Sequence, residues 1–264
     1  VRATYRSHGG SRQYWDQRWT NASVDVGSLN LNKYPGKYAQ EMVDRTDGPL
    51  LEAGCGLGRN VIYFHNLGRE ITGIDFIETA IDKIKDRYPD LDVQQADILD
   101  LPFSDHAFAG VMAFGLYHSL ENGVDKALSE THRVLRPGGV LVTSARLDNI
   151  QNRFNDWIEE KKSPPGGEPS FHKANYTVTE FRNLLTAAGF VTDNVEYVEN
   201  MPLFYKFRVF RSAAHKAFDE SLGRSEGYQL NWVGNTMQKT LVALFPRWFS
   251  NIVVVSARRP LESE

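Results

Sequence analysis

The chain has 264 residues with 30 Lys+Arg against 33 Asp+Glu, a net charge of -3, 7 His and 1 Cys, a size that suits one large domain or two small ones. A single cysteine excludes a disulfide framework and a thiolate zinc site, no other metal cluster is evident, and the economical setting is a reducing cytoplasm. The weak acidity supplies no global attraction for nucleic acid, and the longest uncharged stretch, residues 107–120, falls short of the roughly 18 apolar residues of a spanning helix.

Residues 1–13 are polar, carry three arginines and lack the apolar run of a secretory leader, so none is expected there. The segment from Gln13 to Trp19 then gathers Tyr14, Trp15, Arg18 and Trp19. Beyond it, short apolar runs alternate with helical patterns, which is how a parallel sheet with crossover helices reads in sequence. Strands are expected from Pro49 to Ala53, Glu70 to Ile74, Asp92 to Gln95, Phe108 to Phe114 and Val140 to Ala145. Helices are expected from Asn60 to Leu67, from Ile77 until just before Pro89, and from Val124 to Leu135, where Arg136-Pro-Gly-Gly139 makes a turn into the fifth strand.

After the fifth strand, residues 163–169 hold three prolines and two glycines and read as a loop. Thr177 or Thr179 caps a helix that runs through Ala188 and stops at Gly189, followed by a strand from Phe190 to Val198. A last β-rich run begins at Ile252.

Gly54, Gly56 and Gly58 join the first strand to the following helix. Glycines there permit positive φ and close approach of a ligand, beside the unpaired N–H groups of a helix start. A dinucleotide fingerprint would place its third glycine where Arg59 stands, and Glu52, an acid beside the turn, suits a cationic amino group better than a pyrophosphate.

With Glu52, Gly54, Gly56 and Gly58 matching E/D-x-G-x-G-x-G, the chain resembles the class I S-adenosylmethionine-dependent methyltransferases. Arg133-Val-Leu-Arg-Pro-Gly-Gly139, Tyr176-Thr-Val-Thr-Glu-Phe181 and Ala188-Gly-Phe190 also follow that family's pattern, in register from about Leu50 to Val198. The resemblance implies a Rossmann-like α/β fold, a doubly wound sheet of seven strands ordered 3-2-1-4-5-7-6 with the last antiparallel. It implies S-adenosylmethionine as cofactor and S-adenosylhomocysteine as product. The implied cofactor set is Glu52, Ala53, Gly54, Cys55, Gly56, Arg59 and Asn60 at the turn, Asp75 and Phe76 at the ribose, Asp97 and Ile98 at the adenine, and Phe114 and Gly115 beside the methyl group. The segment around Tyr14 and Trp19 is similar to one that folds over the cofactor in small-molecule members. Cys55 reads as a small residue tolerated in the turn rather than a nucleophile.

Methyl transfer from a sulfonium requires an acceptor held in line with the S–CH3 bond, so positioning alone supplies much of the catalysis. A hydroxyl or ammonium acceptor gains from a general base, for which His118, beyond the fourth strand, is the first candidate and His172 the second. Tyr117, Arg146, Phe204 and Phe207 complete the expected acceptor site, with both histidines.

The organisation expected is a lid at residues 1–40, the core at 41–198, an insertion at 199–251 and the last strand with its tail at 252–264. The insertion is aromatic and basic, and Leu203, Phe207, Phe210, Ala214 and Phe218 fall near one helical face. A substrate cap, a peripheral membrane contact and a homodimer interface are its competing uses. The function expected is methyl transfer to a small molecule such as a natural product, a sugar or a lipid-linked metabolite. The alternatives are RNA methylation, which the acidity disfavours, and a cofactor-binding regulatory or scaffold protein without turnover.

Overall fold

The computed structural model describes residues 1–6, 11–24, 29–162, 169–213 and 227–261. Among the described residues nine strands run in chain order: β1 (Arg2–Arg6), β2 (Leu50–Ala53), β3 (Ile71–Asp75), β4 (Val93–Gln95), β5 (Phe108–Ala113), β6 (Leu135–Arg146), β7 (Ser170–Asn175), β8 (Val191–Val198) and β9 (Ile252–Arg258). Seven of them form one sheet in the order β4-β3-β2-β5-β6-β9-β8. Numbered among themselves these are 3-2-1-4-5-7-6, as the resemblance implies. β9 pairs antiparallel with both β6 and β8, while the other pairings are parallel.

The helices are α1 (Ser11–Asn21), α2 (Gly36–Val43), α3 (Arg59–Asn66), α4 (Glu78–Arg87), α5 (Val124–Val134), α6 (Ile150–Lys162), α7 (Val178–Ala187), α8 (Trp232–Leu244) and α9 (Pro246–Phe249). Strands buried on both faces, such as Leu50-Leu-Glu-Ala53 and Phe108-Ala-Gly-Val-Met-Ala113, read as continuous apolar runs because helices cover the sheet on each side. One apolar cluster gathers Leu51, Val111, Leu128, Leu141, Phe181 and Val255, and a second gathers Met42, Leu50, Val61, Phe64, Ile84 and Met112. α7 carries a complete capping box between Thr177 and Glu180.

Three expectations change. Arg136-Pro-Gly-Gly139 lies inside β6, where the register against β5 shifts between Phe108 and Gly110, so the expected turn is an irregularity within a longer strand. Residues 170–175, expected to continue a loop, form β7 and pair antiparallel with β1 in a separate two-stranded sheet. In the insertion, Leu203–Lys206 and Arg208–Phe210 are two short 3-10 turns rather than one amphipathic helix, broken by extended backbone at Phe207. The expected partners Ala214 and Phe218, like most of the 163–169 loop, lie outside the described residues.

Several apolar side chains of the insertion remain exposed, among them Val209, Trp232, Leu244 and Trp248. Its attachment is polar and buried. Asn251 Oδ1 accepts from the N–H groups of Asn200 at 2.8 Å and Met201 at 3.3 Å, and its Nδ2 donates to Asn200 Oδ1 at 2.6 Å.

Candidate functional site

A cavity of about 770 Å³ opens over the C-terminal ends of β2, β3, β5 and β6, roofed by α1. Open α/β sheets bind ligands at this edge, and the volume lies in the range of small-molecule sites, roughly 300–1,000 Å³.

Its floor is the turn from β2 into α3. Gly54, Gly56 and Gly58 have φ of 74°, 54° and 71°, a region side chains resist, so the glycines are a conformational requirement. The N–H groups of Gly54 and Cys55 both donate to the Ile74 carbonyl, at 2.8 and 2.9 Å, which fixes the turn against β3. Asp75, buried at the end of β3, accepts from Gly56 N–H at 2.8 Å and Ile77 N–H at 2.9 Å. Burial raises its pKa, and these backbone bonds oppose the shift.

Glu52 and Asn60 meet beneath the turn, where Asn60 Nδ2 donates to Glu52 Oε1 at 2.6 Å. Among the described residues, Glu52 Oε2 and Asn60 Oδ1 are both buried without a hydrogen-bond partner. Burial pushes the Glu52 carboxyl up to about 8, against the lowering effect of Asn60. Two buried acceptors side by side suit a multivalent cationic donor and repel a pyrophosphate, which only accepts. Cys55 is buried and its thiol is pushed up by desolvation, which makes it unreactive.

The roof is built by α1. Trp15 and Trp19 stack at 5.5 Å, Arg18 lies over both rings, and Arg12 covers Phe76 at 4.6 Å. A β-carbon on Gly56 would sit 2.7 Å from the Trp19 ring, so the indole closes directly on the bare backbone of the turn. Lys83 on α4 binds the carbonyls of Trp19, Thr20 and Ala22 at 2.7–2.9 Å, which neutralises the helix end and docks it. Tyr14 meets His172 edge to face at 5.5 Å.

Of the residues expected from sequence, Tyr14, Trp19, Glu52, Gly54, Cys55, Gly56, Arg59, Asn60, Asp75, Phe76, Asp97, Ile98, Phe114, Gly115, His118, Arg146 and His172 line this one cavity. His118 sits in a 3-10 turn, Tyr117–Ser119, after β5. His172 belongs to β7 rather than to a loop.

Four residues expected from sequence do not line the cavity. Ala53 is fully buried in the core at the end of β2. Tyr117 is fully buried too, its hydroxyl bonded to Thr131 Oγ1 at 2.7 Å, facing α5 and not the cavity. Phe204 packs against Phe210, and Phe207 against Phe154, both outside the cavity wall.

The wall also uses residues that sequence reasoning missed. Tyr34 bonds Ser144 Oγ at 2.8 Å, and the same hydroxyl accepts from Gly115 N–H at 2.9 Å, so a tyrosine from the N-terminal segment braces the end of β5. Arg6 from β1, Asn155, Asp156 and Glu159 from α6, Lys173 from β7 and Lys206 from the insertion close another part of the cavity. Arg146 is engaged by Asp156 through two bonds, at 2.7 and 3.0 Å, and by Asn175.

Known proteins similar to the chain include methyltransferases. Residues 51–143 match the model of a methyltransferase domain. A Mycolicibacterium smegmatis protein described as a probable S-adenosylmethionine-dependent methyltransferase is 31% identical over 160 residues, 59% of this chain and 57% of its own. The O-methyltransferase rstn1 of Aspergillus nomiae is 26% identical over 196 residues, covering 67% of this chain and 84% of its own. The crystal structure of an S-adenosylmethionine-dependent methyltransferase from Mesorhizobium loti has a TM-score of 0.55 at 19% identity, covering 85% of this chain and 97% of that one. The chain therefore spans somewhat under three-fifths of the mycobacterial relative it matches.

Proposed function

We propose, from the likeness of residues 51–143 to a methyltransferase domain and from the related S-adenosylmethionine-dependent methyltransferases, that the chain is a class I S-adenosylmethionine-dependent methyltransferase and transfers a methyl group to a small-molecule acceptor bound beside the glycine turn. The carrying observation is the pair of buried, unpartnered acceptors Glu52 Oε2 and Asn60 Oδ1 at a turn of left-handed glycines. They fit the α-ammonium of the cofactor's methionine part.

In this reading Asp75 holds the ribose hydroxyls with its remaining lone pairs, and Phe76 and Ile98 flank the adenine. Asp97, whose Oδ1 already accepts from Leu99 N–H at 2.9 Å, receives the adenine amino group. Phe114 and Gly115 shape the methyl-transfer position. S-adenosylmethionine, when bound, supplies an electrophilic methyl on a sulfonium.

The chain's own contribution is then chiefly positional. Trp15 and Trp19 cover the turn and exclude water, and the Tyr34–Ser144 bond holds Gly115 in place. His118 and His172 are the residues able to take a proton from a hydroxyl or ammonium acceptor. A cavity roofed by α1 favours a small acceptor over a nucleic-acid strand, as does the net charge of -3. The named activity of the Aspergillus nomiae relative, O-methylation, belongs to the same class of reaction.

The test measures two quantities separately: calorimetric binding of S-adenosylhomocysteine, and transfer of labelled methyl from S-adenosylmethionine to RNA and to a panel of small hydroxylated and aminated compounds. Binding with transfer supports the proposal. Binding without transfer to any of them favours the scaffold reading, and transfer to RNA alone favours the other alternative.

A further inference from the structure

The part of the cavity walled by β1, α6 and β7 is not used by any residue assigned above to the cofactor. Its cations are Arg6, Arg146, Lys173 and Lys206, and its carboxylates are Asp156 and Glu159. The carboxylates are already engaged: Asp156 by Arg146 and by Arg2 at 2.9 Å, and Glu159 by Lys206 at 2.6 Å. Arg6 stands apart. Among the described residues its guanidinium makes no hydrogen bond or ion pair, although it is largely withdrawn from water and lies within the fields of Glu159 and Asp156. Desolvation lowers its pKa, the direction expected of a cation lacking a close counter-charge.

A second, independent observation points the same way. Asn155 lines this wall at 2% exposure, and among the described residues neither its Nδ2 nor its Oδ1 has a hydrogen-bond partner. An amide with both ends unsatisfied in a buried wall costs free energy unless a ligand completes it. One turn along α6, Glu159 is held by Lys206, so the helix that carries Asn155 is anchored.

Resting on the methyltransferase reading, we propose that the acceptor carries an anionic group, a carboxylate or a phosphate, bound by the Arg6 guanidinium and by Asn155 Nδ2. The planar fork of an arginine matches either anion through two parallel bonds. Asn155 Oδ1 then receives a hydroxyl or N–H of the same acceptor. The anion anchors the acceptor in the cavity that His118 and His172 also line.

The test titrates the full chain, first saturated with S-adenosylhomocysteine, with benzoate, phenyl phosphate and neutral benzamide. The expected result is binding of one or both anions at least about tenfold tighter than benzamide, as follows from gaining a bond between charged groups. Benzoate against phenyl phosphate distinguishes a carboxylate from a phosphate acceptor. R6Q should abolish the preference, and N155L should weaken the preferred anion by about tenfold, both with S-adenosylhomocysteine affinity within twofold of the parent. Should R6Q fold poorly, N155L carries the test alone. Equal binding of anions and benzamide, no anion binding, or a preference that survives both substitutions overturns the proposal. Failure of S-adenosylhomocysteine itself to bind overturns the cofactor reading instead, so the two failures are distinct.

Discussion

Asn60 Nδ2 donates to Glu52 Oε1 at 2.6 Å, and the oxygen left over on each side chain is a buried acceptor with no partner among the described residues. This arrangement makes ligand binding depend on pH. With its carboxyl pushed up to about 8, Glu52 is protonated at neutral pH in the free protein, and an ammonium ligand requires its ionised form. Affinity for S-adenosylhomocysteine should rise by up to about tenfold per unit from pH 6 to 8, with a proton released on binding at pH 7. Calorimetry in buffers of different ionisation enthalpy measures that proton. Glu52→Gln should weaken binding and flatten the slope. Affinity independent of pH would remove the assignment.

The same group affects stability with a definite sign. Its folded pKa lies above the unfolded value of 4.5, so the folded chain keeps a proton that the unfolded chain has lost. The contribution is full below about pH 4.5 and is lost as pH rises through about 8. The melting temperature of Glu52→Gln relative to the parent should therefore increase with pH across that window. A constant difference from pH 5 to 8 would contradict the burial-driven shift.

Asp75, the residue proposed to hold the ribose, also braces the glycine turn through Gly56 N–H. Asp75→Ala removes two backbone partners, Gly56 N–H and Ile77 N–H. S-adenosylhomocysteine affinity should fall by at least about a hundredfold, as expected for losing the bonds to two ribose hydroxyls at about 1.5–3 kcal/mol each. Unchanged affinity in a titration would remove the ribose role.

Gly56 and Trp19 are coupled by shape. Gly56→Ala places a methyl in left-handed backbone, 2.7 Å from the indole, whereas the same substitution in a Trp19→Ala background keeps only the backbone strain. The two stability losses should be non-additive by about 0.5–3 kcal/mol, the range for residues in contact. Denaturant unfolding of the four variants measures this, and strict additivity would show that the indole does not rest on the turn.

Asn251, just before β9, ties the two ends of the insertion together. Asn251→Leu leaves the N–H groups of Asn200 and Met201 and the Asn200 side-chain oxygen without their partner, at about 1–3 kcal/mol for each buried group. A loss of several kcal/mol in chemical unfolding is expected. A loss below about 1 kcal/mol would mean the insertion is held by other contacts.

The parts of the fold legible in sequence are those set by local chemistry. The glycines at 54, 56 and 58 and the capping pair Thr177 and Glu180 are written within a few residues of where they act, and the two-sided burial of β2 and β5 produces apolar runs. The parts that escaped depend on distant partners. β1, Arg-Ala-Thr-Tyr-Arg, has no apolar pattern and becomes a strand only because β7, more than 160 residues away, pairs with it. Tyr117 sits beside His118 in sequence, yet the 3-10 turn sends the tyrosine to Thr131 and the histidine to the cavity. Phe207 satisfied a helical face that the chain does not build, because the backbone is extended there. Arg6 and Asn155 carried no readable signal, since their significance lies in the partners they lack.

The central claim is that the Glu52–Asn60 corner receives an ammonium beside a nucleoside. Parallel calorimetric titrations with S-adenosylhomocysteine and with NAD test it most directly. A single saturable site for S-adenosylhomocysteine, weakened by Glu52→Gln, with no measurable NAD binding is the predicted result. NAD binding without S-adenosylhomocysteine binding would contradict it.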